Sequence, residues 1–165
     1  MEIRPVDPTL DATRMNDRSK LAPDGGETFA DAVTPEFYFL VNSGFDEEVE
    51  NDDSVTYEAS NGAFVKVFRD PRDGYAGFRA GLTSRPRDAL TTAEFVHLTG
   101  APSGGEFPGT SSDYRAAAAR LAQLLRDYGS RVLAGDGTIL DEAMELRREY
   151  TTQFTGEQQP EGNGP

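Results

Sequence analysis

Residues 55–82 read VTYEASNGAFVKVFRDPRDGYAGFRAGL, and the rest of the chain is interpreted around them. Val55, Tyr57 and Ala59 alternate with Thr56, Glu58 and Ser60, the period of a strand with one covered face. Asn61-Gly62 is a hairpin signal, because both central residues of a type I′ turn need positive φ. A return strand runs from Ala63 to Arg69. Asp70-Pro71-Arg72-Asp73-Gly74 is a second turn, with proline pre-set for its corner and glycine free to take a left-handed position. A third strand follows from Tyr75 to about Leu82, which makes an antiparallel meander of three or more strands.

A two-residue Asn-Gly turn puts Val55, Tyr57 and Ala59 on one face with Phe64, Lys66 and Phe68. If the second turn takes all five residues 70–74, Ala76, Phe78, Ala80 and Leu82 join that face. The opposite face then carries Thr56, Glu58, Ser60, Val65, Val67, Tyr75 and Arg79. The first face is the more apolar and is expected to meet the helices; a one-residue slip in the second turn would invert the third strand.

Upstream, Thr34 and Pro35 suit the N-cap and first position of a helix whose stripe is Phe37, Leu40 and Val41, with Gly44 just past its end. Phe29 and Val33 extend the stripe, so the alternative is a start near Thr28 with Pro35 as a kink. Between this helix and the meander, Asp46–Asp53 reads DEEVENDD, which holds six acids in eight residues and no cation. This stretch is expected to be a solvated loop.

Downstream, Thr91–Leu98 reads as a short helix and 101–109 (APSGGEFPG) as a loop. Ser111 or Ser112 caps a long helix with the stripe Tyr114, Ala117, Ala118, Leu121, Leu125, Tyr128 and Val132, broken by Gly135-Asp136-Gly137. Thr138 with Asp141 is a near capping box for a last helix through Leu140, Ala143, Met144, Arg147 and Tyr150 to about Phe154. Residues 1–27 mix Pro, Gly and charge without apolar periodicity and read as a flexible arm, and 156–165 read as a disordered tail; 28–155 form one α+β domain.

Composition narrows the functional classes. Among 165 residues, 16 basic side chains against 29 acidic ones leave a net charge of −13, which opposes binding to nucleic acid or an anionic membrane. No 18-residue apolar run and no apolar leader segment is present, so neither a spanning helix nor a secretory signal is expected. The chain has no cysteine, which removes disulfides, thiolate metal sites and a cysteine nucleophile, and agrees with a reducing cytoplasm. Only Lys20 and Lys66 are lysines, and acid excess with scarce lysine also matches adaptation to high salt.

The acidic stretch fails the calcium-loop rule, because Asn51 stands at the sixth place counted from Asp46 and Tyr57 at the twelfth. Residues 73–78 echo an RNA-recognition signature, but Asp73 replaces its leading base and Gly77 a stacking aromatic. The lone His97, beside Phe95, Val96 and Leu98, reads as a capping or core histidine. No nucleophile elbow, phosphate loop or cofactor motif is found, so no catalytic, metal or cofactor residue is assigned. Lys66, Arg69, Arg72, Arg79, Arg85 and Arg87 make the meander locally basic, and internal neutralisation of the 46–53 carboxylates is the simplest account of them. Lys66, on the apolar face opposite Tyr57 in this register, either snorkels to water or forms a cation–aromatic pocket. The residues assigned to partner binding are Asp46, Glu47, Glu48, Glu50, Asp52 and Asp53, with Lys66, Tyr75 and Arg79.

Over residues 35–154 the order of parts resembles small bacterial proteins, many of them immunity proteins of toxin systems. The resemblance rests on a helix ending at Gly44-Phe45, the acidic stretch, VTYEASNGAFVKVFRD, and a long helix running into LLRDYGSRVLAGDGTILDEAMELRREY, with Leu133-Ala134-Gly135-Asp136 before the final helix. It implies a cytoplasmic inhibitor that binds a toxin, and it carries over no functional residue. The expected fold is α+β: an antiparallel meander with an N-terminal helix and two or three C-terminal helices packed mainly on one face. The expected function is a non-enzymatic acidic protein that binds a basic protein. The alternatives are a housekeeping domain of a salt-adapted organism and an enzyme whose groups converge only in space.

Overall fold

A computed structural model describes residues 26–102 and 113–156. Most of the expected 1–27 arm and 156–165 tail, most of the 101–109 loop, and the caps at Ser111 and Ser112 lie outside the described residues. The fold is α+β. Helices α1 (Phe29–Glu36) and α2 (Tyr38–Asn42) precede the antiparallel strands β1 (Phe45–Asn51), β2 (Ser54–Ala59), β3 (Ala63–Arg69), β4 (Ala76–Leu82) and β5 (Leu90–Thr91). The helices α3 (Thr92–Thr99), α4 (Tyr114–Tyr128), α5 (Ser130–Leu133) and α6 (Thr138–Gly156) follow. Sheet order is sequence order, β1 to β5.

The acidic stretch is a strand, not the expected loop. Phe45 and Val49 alternate with Asp46 and Glu48, and pair with Ala59 and Val55 of β2. Phe45 is buried and Val49 packs against the core, while Asp46, Glu48 and Glu50 are exposed. Because side chains alternate across a strand, acids at every second position leave the other set free to cover apolar surface. Asp52-Asp53 then turns the chain into β2, so β1 and β2 form a hairpin at one edge of the sheet.

The Asn-Gly hairpin also differs from expectation. Only Gly62 has positive φ (+85°), so the turn is not type I′. The Gly62 N–H donates to the Ala59 carbonyl at 3.0 Å, and Asn61 Oδ1 accepts from the Ala63 N–H at 2.9 Å. The loop therefore has three residues rather than two, with glycine at its left-handed position. Glu58 pairs with Phe64, Tyr57 with Val65 and Val55 with Val67. This one-residue slip turns β3 over. Val65 and Val67 join Val55 and Tyr57 in the core, while Phe64, Lys66 and Phe68 go to the opposite face. The next connection is a residue longer as well, since Arg69 pairs with Ala76. The two slips cancel, and Ala76, Phe78 and Ala80 of β4 face the core as the alternation predicts.

Helices cover that face. Thr28 caps α1 in a capping box with Asp31, so the earlier of the two expected starts is the correct one and Pro35 sits in the last turn. The break at Phe37 separates α1 from α2, and Phe37 stacks on Tyr57 at 5.7 Å between centroids. Phe29 meets Tyr114 edge-on at 5.8 Å, where α1 packs on α4. Ala117, Ala118, Leu121 and Leu125 of α4 are buried as the stripe predicts, while Tyr128 at its end is exposed. The long helix ends earlier than expected, at Gly129 rather than Gly135. A Cβ on Gly129 would stand 2.4 Å from the Leu125 carbonyl oxygen, an approach open to glycine alone. Val132 is still buried, but from the separate turn α5. The first turn of α6 is held by Asp136, which accepts from the Thr138 N–H at 2.9 Å and from its hydroxyl at 2.6 Å; the expected box of Thr138 with Asp141 does not form. Asp141 instead accepts from Arg85 at 2.8 Å.

Arg147 fastens α6 to the start of α3. It donates to both Glu94 oxygens, at 2.6 and 2.7 Å, and to the Ala89 carbonyl at 2.9 Å. Glu94 closes the capping box of α3 with Thr91 at the same time. Burial raises the Glu94 pKa, but the hydrogen bonds from Arg147 and the Thr91 amide outweigh it and hold the carboxyl below its ordinary value.

Candidate functional site

Turning β3 over assembles a mixed surface on the face the helices leave open. Reading across the strands, one row is Asp46, Glu58, Phe64 and Gly81, and the next is Glu48, Thr56, Lys66, Arg79 and Thr91. A third row pairs Ser54 with Phe68 and Gly77, and the Tyr75 ring lies 6.2 Å from that of Phe68. Gly77 makes room for this, since a Cβ there would come within 2.8 Å of the Tyr75 ring and of Thr92 Oγ1.

Glu50 is the centre of the polar network. Past the irregularity at the end of β1, it accepts from Thr56 Oγ1 at 2.6 Å, Ser54 Oγ at 3.3 Å and Lys66 Nζ at 2.5 Å. The Lys66 and Thr56 hydrogen bonds hold its carboxyl below the ordinary carboxylate value. Lys66 is thus an open-face cation tied to the acidic strand; the expected place opposite Tyr57 on the apolar face is corrected by the hairpin slip. Arg69 donates to Asp53 at 3.2 Å, so two of the meander cations do neutralise the acidic stretch as expected. Arg85 is engaged elsewhere, with Asp88 and Asp141.

Of the residues assigned to partner binding, Asp46, Glu48, Glu50, Lys66 and Arg79 share the open face. Glu47 points the other way and accepts from the Tyr57 hydroxyl at 3.1 Å. Asp52 and Asp53 occupy the β1–β2 turn, where the Asp52 carbonyl accepts from the Ala30 N–H at 2.9 Å. Tyr75, 45% exposed, stands at the far end of the face beside Phe68. The assignment missed Glu58, Phe64, Thr83 and Pro86. With Glu50, Thr56 and Lys66 these line a depression of about 250 Å³. The sequence does hold the signal for Glu58 and Phe64, which flank the Asn-Gly loop and become neighbours once that loop takes three residues.

Elsewhere, His97 is exposed in the last turn of α3, so it is not a core histidine. Among the described residues, no three His, Asp or Glu converge on a metal position and no helix is long and apolar enough to cross a membrane. Comparison with protein-family models, curated proteins and solved structures returns no match to this chain.

Proposed function

We propose that this chain is a non-enzymatic binding protein whose open sheet face takes a basic protein, and that its particular form is an immunity-like inhibitor of that partner. One observation carries the reading: Asp46, Glu48, Glu50 and Glu58 share this face with Phe64, Phe68 and the nearby Tyr75. Acids surrounding aromatic side chains combine long-range attraction for a basic surface with apolar area to desolvate on contact. The net charge of −13 adds to the attraction and disfavours pairing with a second copy of the same face.

The test is capture by the intact chain at low salt, repeated in molar salt and with a D46N/E48Q/E58Q variant. A stoichiometric basic protein that is lost in both repeats is the expected result. No stoichiometric partner, or one indifferent to the variant, overturns the proposal.

A second reading has its own support. Exposed acids also lie on the helices, at Asp127, Asp141, Glu145 and Glu149, as expected of a surface tuned to a saline interior. Thermal melts in molar KCl separate the two, since a large gain in stability with salt favours adaptation and a flat response favours recognition.

A further inference from the structure

We infer that the depression beside Phe64 is a subsite for one arginine side chain of the basic partner, with the guanidinium lying over the Phe64 ring and against the Glu58 carboxylate, and with Asp46, next along the row, adding to the negative field. This rests on the reading of the open face as a surface for a basic protein, and it names the contact that would anchor it.

Charge placement comes first. Asp46 and Glu58 stand directly opposite each other on β1 and β2, an arrangement that destabilises a sheet when both are ionised. Among the described residues neither carboxylate accepts a hydrogen bond or joins an ion pair. Lys66, the nearest cation in the depression, is held by Glu50, and Arg79 lies beyond it on β4. The row therefore carries an uncompensated pair of negative charges that folding does not require, and a cation from outside would relieve it.

Shape comes second. Phe64 pairs with Glu58 on one side and with Gly81 on the other. A Cβ on Gly81 would lie 3.0 Å from Ala89 Cα and 3.5 Å from the Phe64 ring, so the chain after β4 folds tightly over this end of the row. Pro86 and Thr83, from the same segment, complete the wall. The volume of about 250 Å³ falls below the roughly 300–1,000 Å³ of a small-molecule site and suits a single side chain. A flat guanidinium meets these conditions better than an ammonium, because it stacks on a ring while presenting a fork of donors to carboxylates.

The experiment is an NMR titration of the full chain with N-acetyl-arginine amide, with N-acetyl-citrulline amide as the uncharged isostere. The expected result is a set of shifts confined to Glu58, Phe64, Thr83 and their neighbours, absent with citrulline. E58Q should weaken it by about fivefold or more, the scale of one charge-assisted contact. F64L, which keeps apolar volume and removes the ring face, should weaken it by about threefold. Shifts spread evenly over the acidic helices, equal shifts with citrulline, or indifference to both variants overturn the subsite. Stoichiometric capture of a basic protein that is lost in D46N/E48Q/E58Q but retained in both E58Q and F64L also overturns it, and leaves the broader reading standing.

Discussion

The two faces of the sheet use the same strands and the same backbone hydrogen bonds, yet they are built on different terms. On the covered face Val55, Tyr57, Val65, Val67, Phe78 and Ala80 are fully buried, and Phe78 meets Phe95 edge-on at 5.1 Å. On the open face Thr56 is nearly covered, Phe64, Lys66 and Phe68 are half-exposed, and Glu58 and Arg79 stand in water. Removing a large apolar side chain from water stabilises a fold by about 1.5–3 kcal/mol, whereas an exposed ion pair contributes about 0–1 kcal/mol. Stability therefore resides on the first face. The second is free to hold arrangements stability would not select, such as Asp46 opposite Glu58.

The largest expected effect tests the covered face. Phe78→Ala should lower unfolding free energy by about 3–5 kcal/mol in urea titrations, and a loss under about 1 kcal/mol would break the contrast. Next comes the bond between α3 and α6. Arg147→Met strips the Ala89 carbonyl and the half-buried Glu94 of their donor and should cost about 1–3 kcal/mol by the same measurement.

Glu50 sharpens the contrast through pH. Its folded pKa is lowered, so the folded state binds this proton less readily than the unfolded chain. The stabilisation is complete above the ordinary carboxylate pKa and is lost as pH falls through the lowered folded value. Glu50→Gln should cost less than about 1 kcal/mol at pH 7 and flatten the acid side of the stability profile, as read by melts from pH 7 down to pH 3. The smallest effect belongs to Arg79→Ala, which should stay within about 0.5 kcal/mol of the parent in urea because the side chain is exposed and off the core. A larger cost would show that the open face carries structural load after all.

Much of this architecture is legible in residue order. The meander, the short helix beginning at Thr91–Thr92, most of the buried stripe of α4 and the inward set of β4 all follow from local periodicity and turn chemistry. The acidic strand was legible too, in the alternation of Phe45 and Val49 with acids, but its charge density concealed the period. The candidate site was only partly legible. Its acids and Lys66 stand out by composition, while Glu58, Phe64, Thr83 and Pro86 come together only through pairing across strands and the return of the chain after β4.

What local order could not supply was the facing of β3. Asn-Gly permits a two-residue loop or a three-residue one; the three-residue form buries Val65 and Val67 in the core, and in it the Asn61 amide donates to the Leu133 carbonyl at 3.2 Å, 72 positions along the chain. That partner exists only after α4 breaks at Gly129 and α5 folds back beside β3 and β4. The amino-acid sequence by itself determined that paired strands with a greasy side and a wet side would form. The tertiary structure decided which side of β3 was which, because a strand repeats every two residues and a single residue in a turn exchanges its faces.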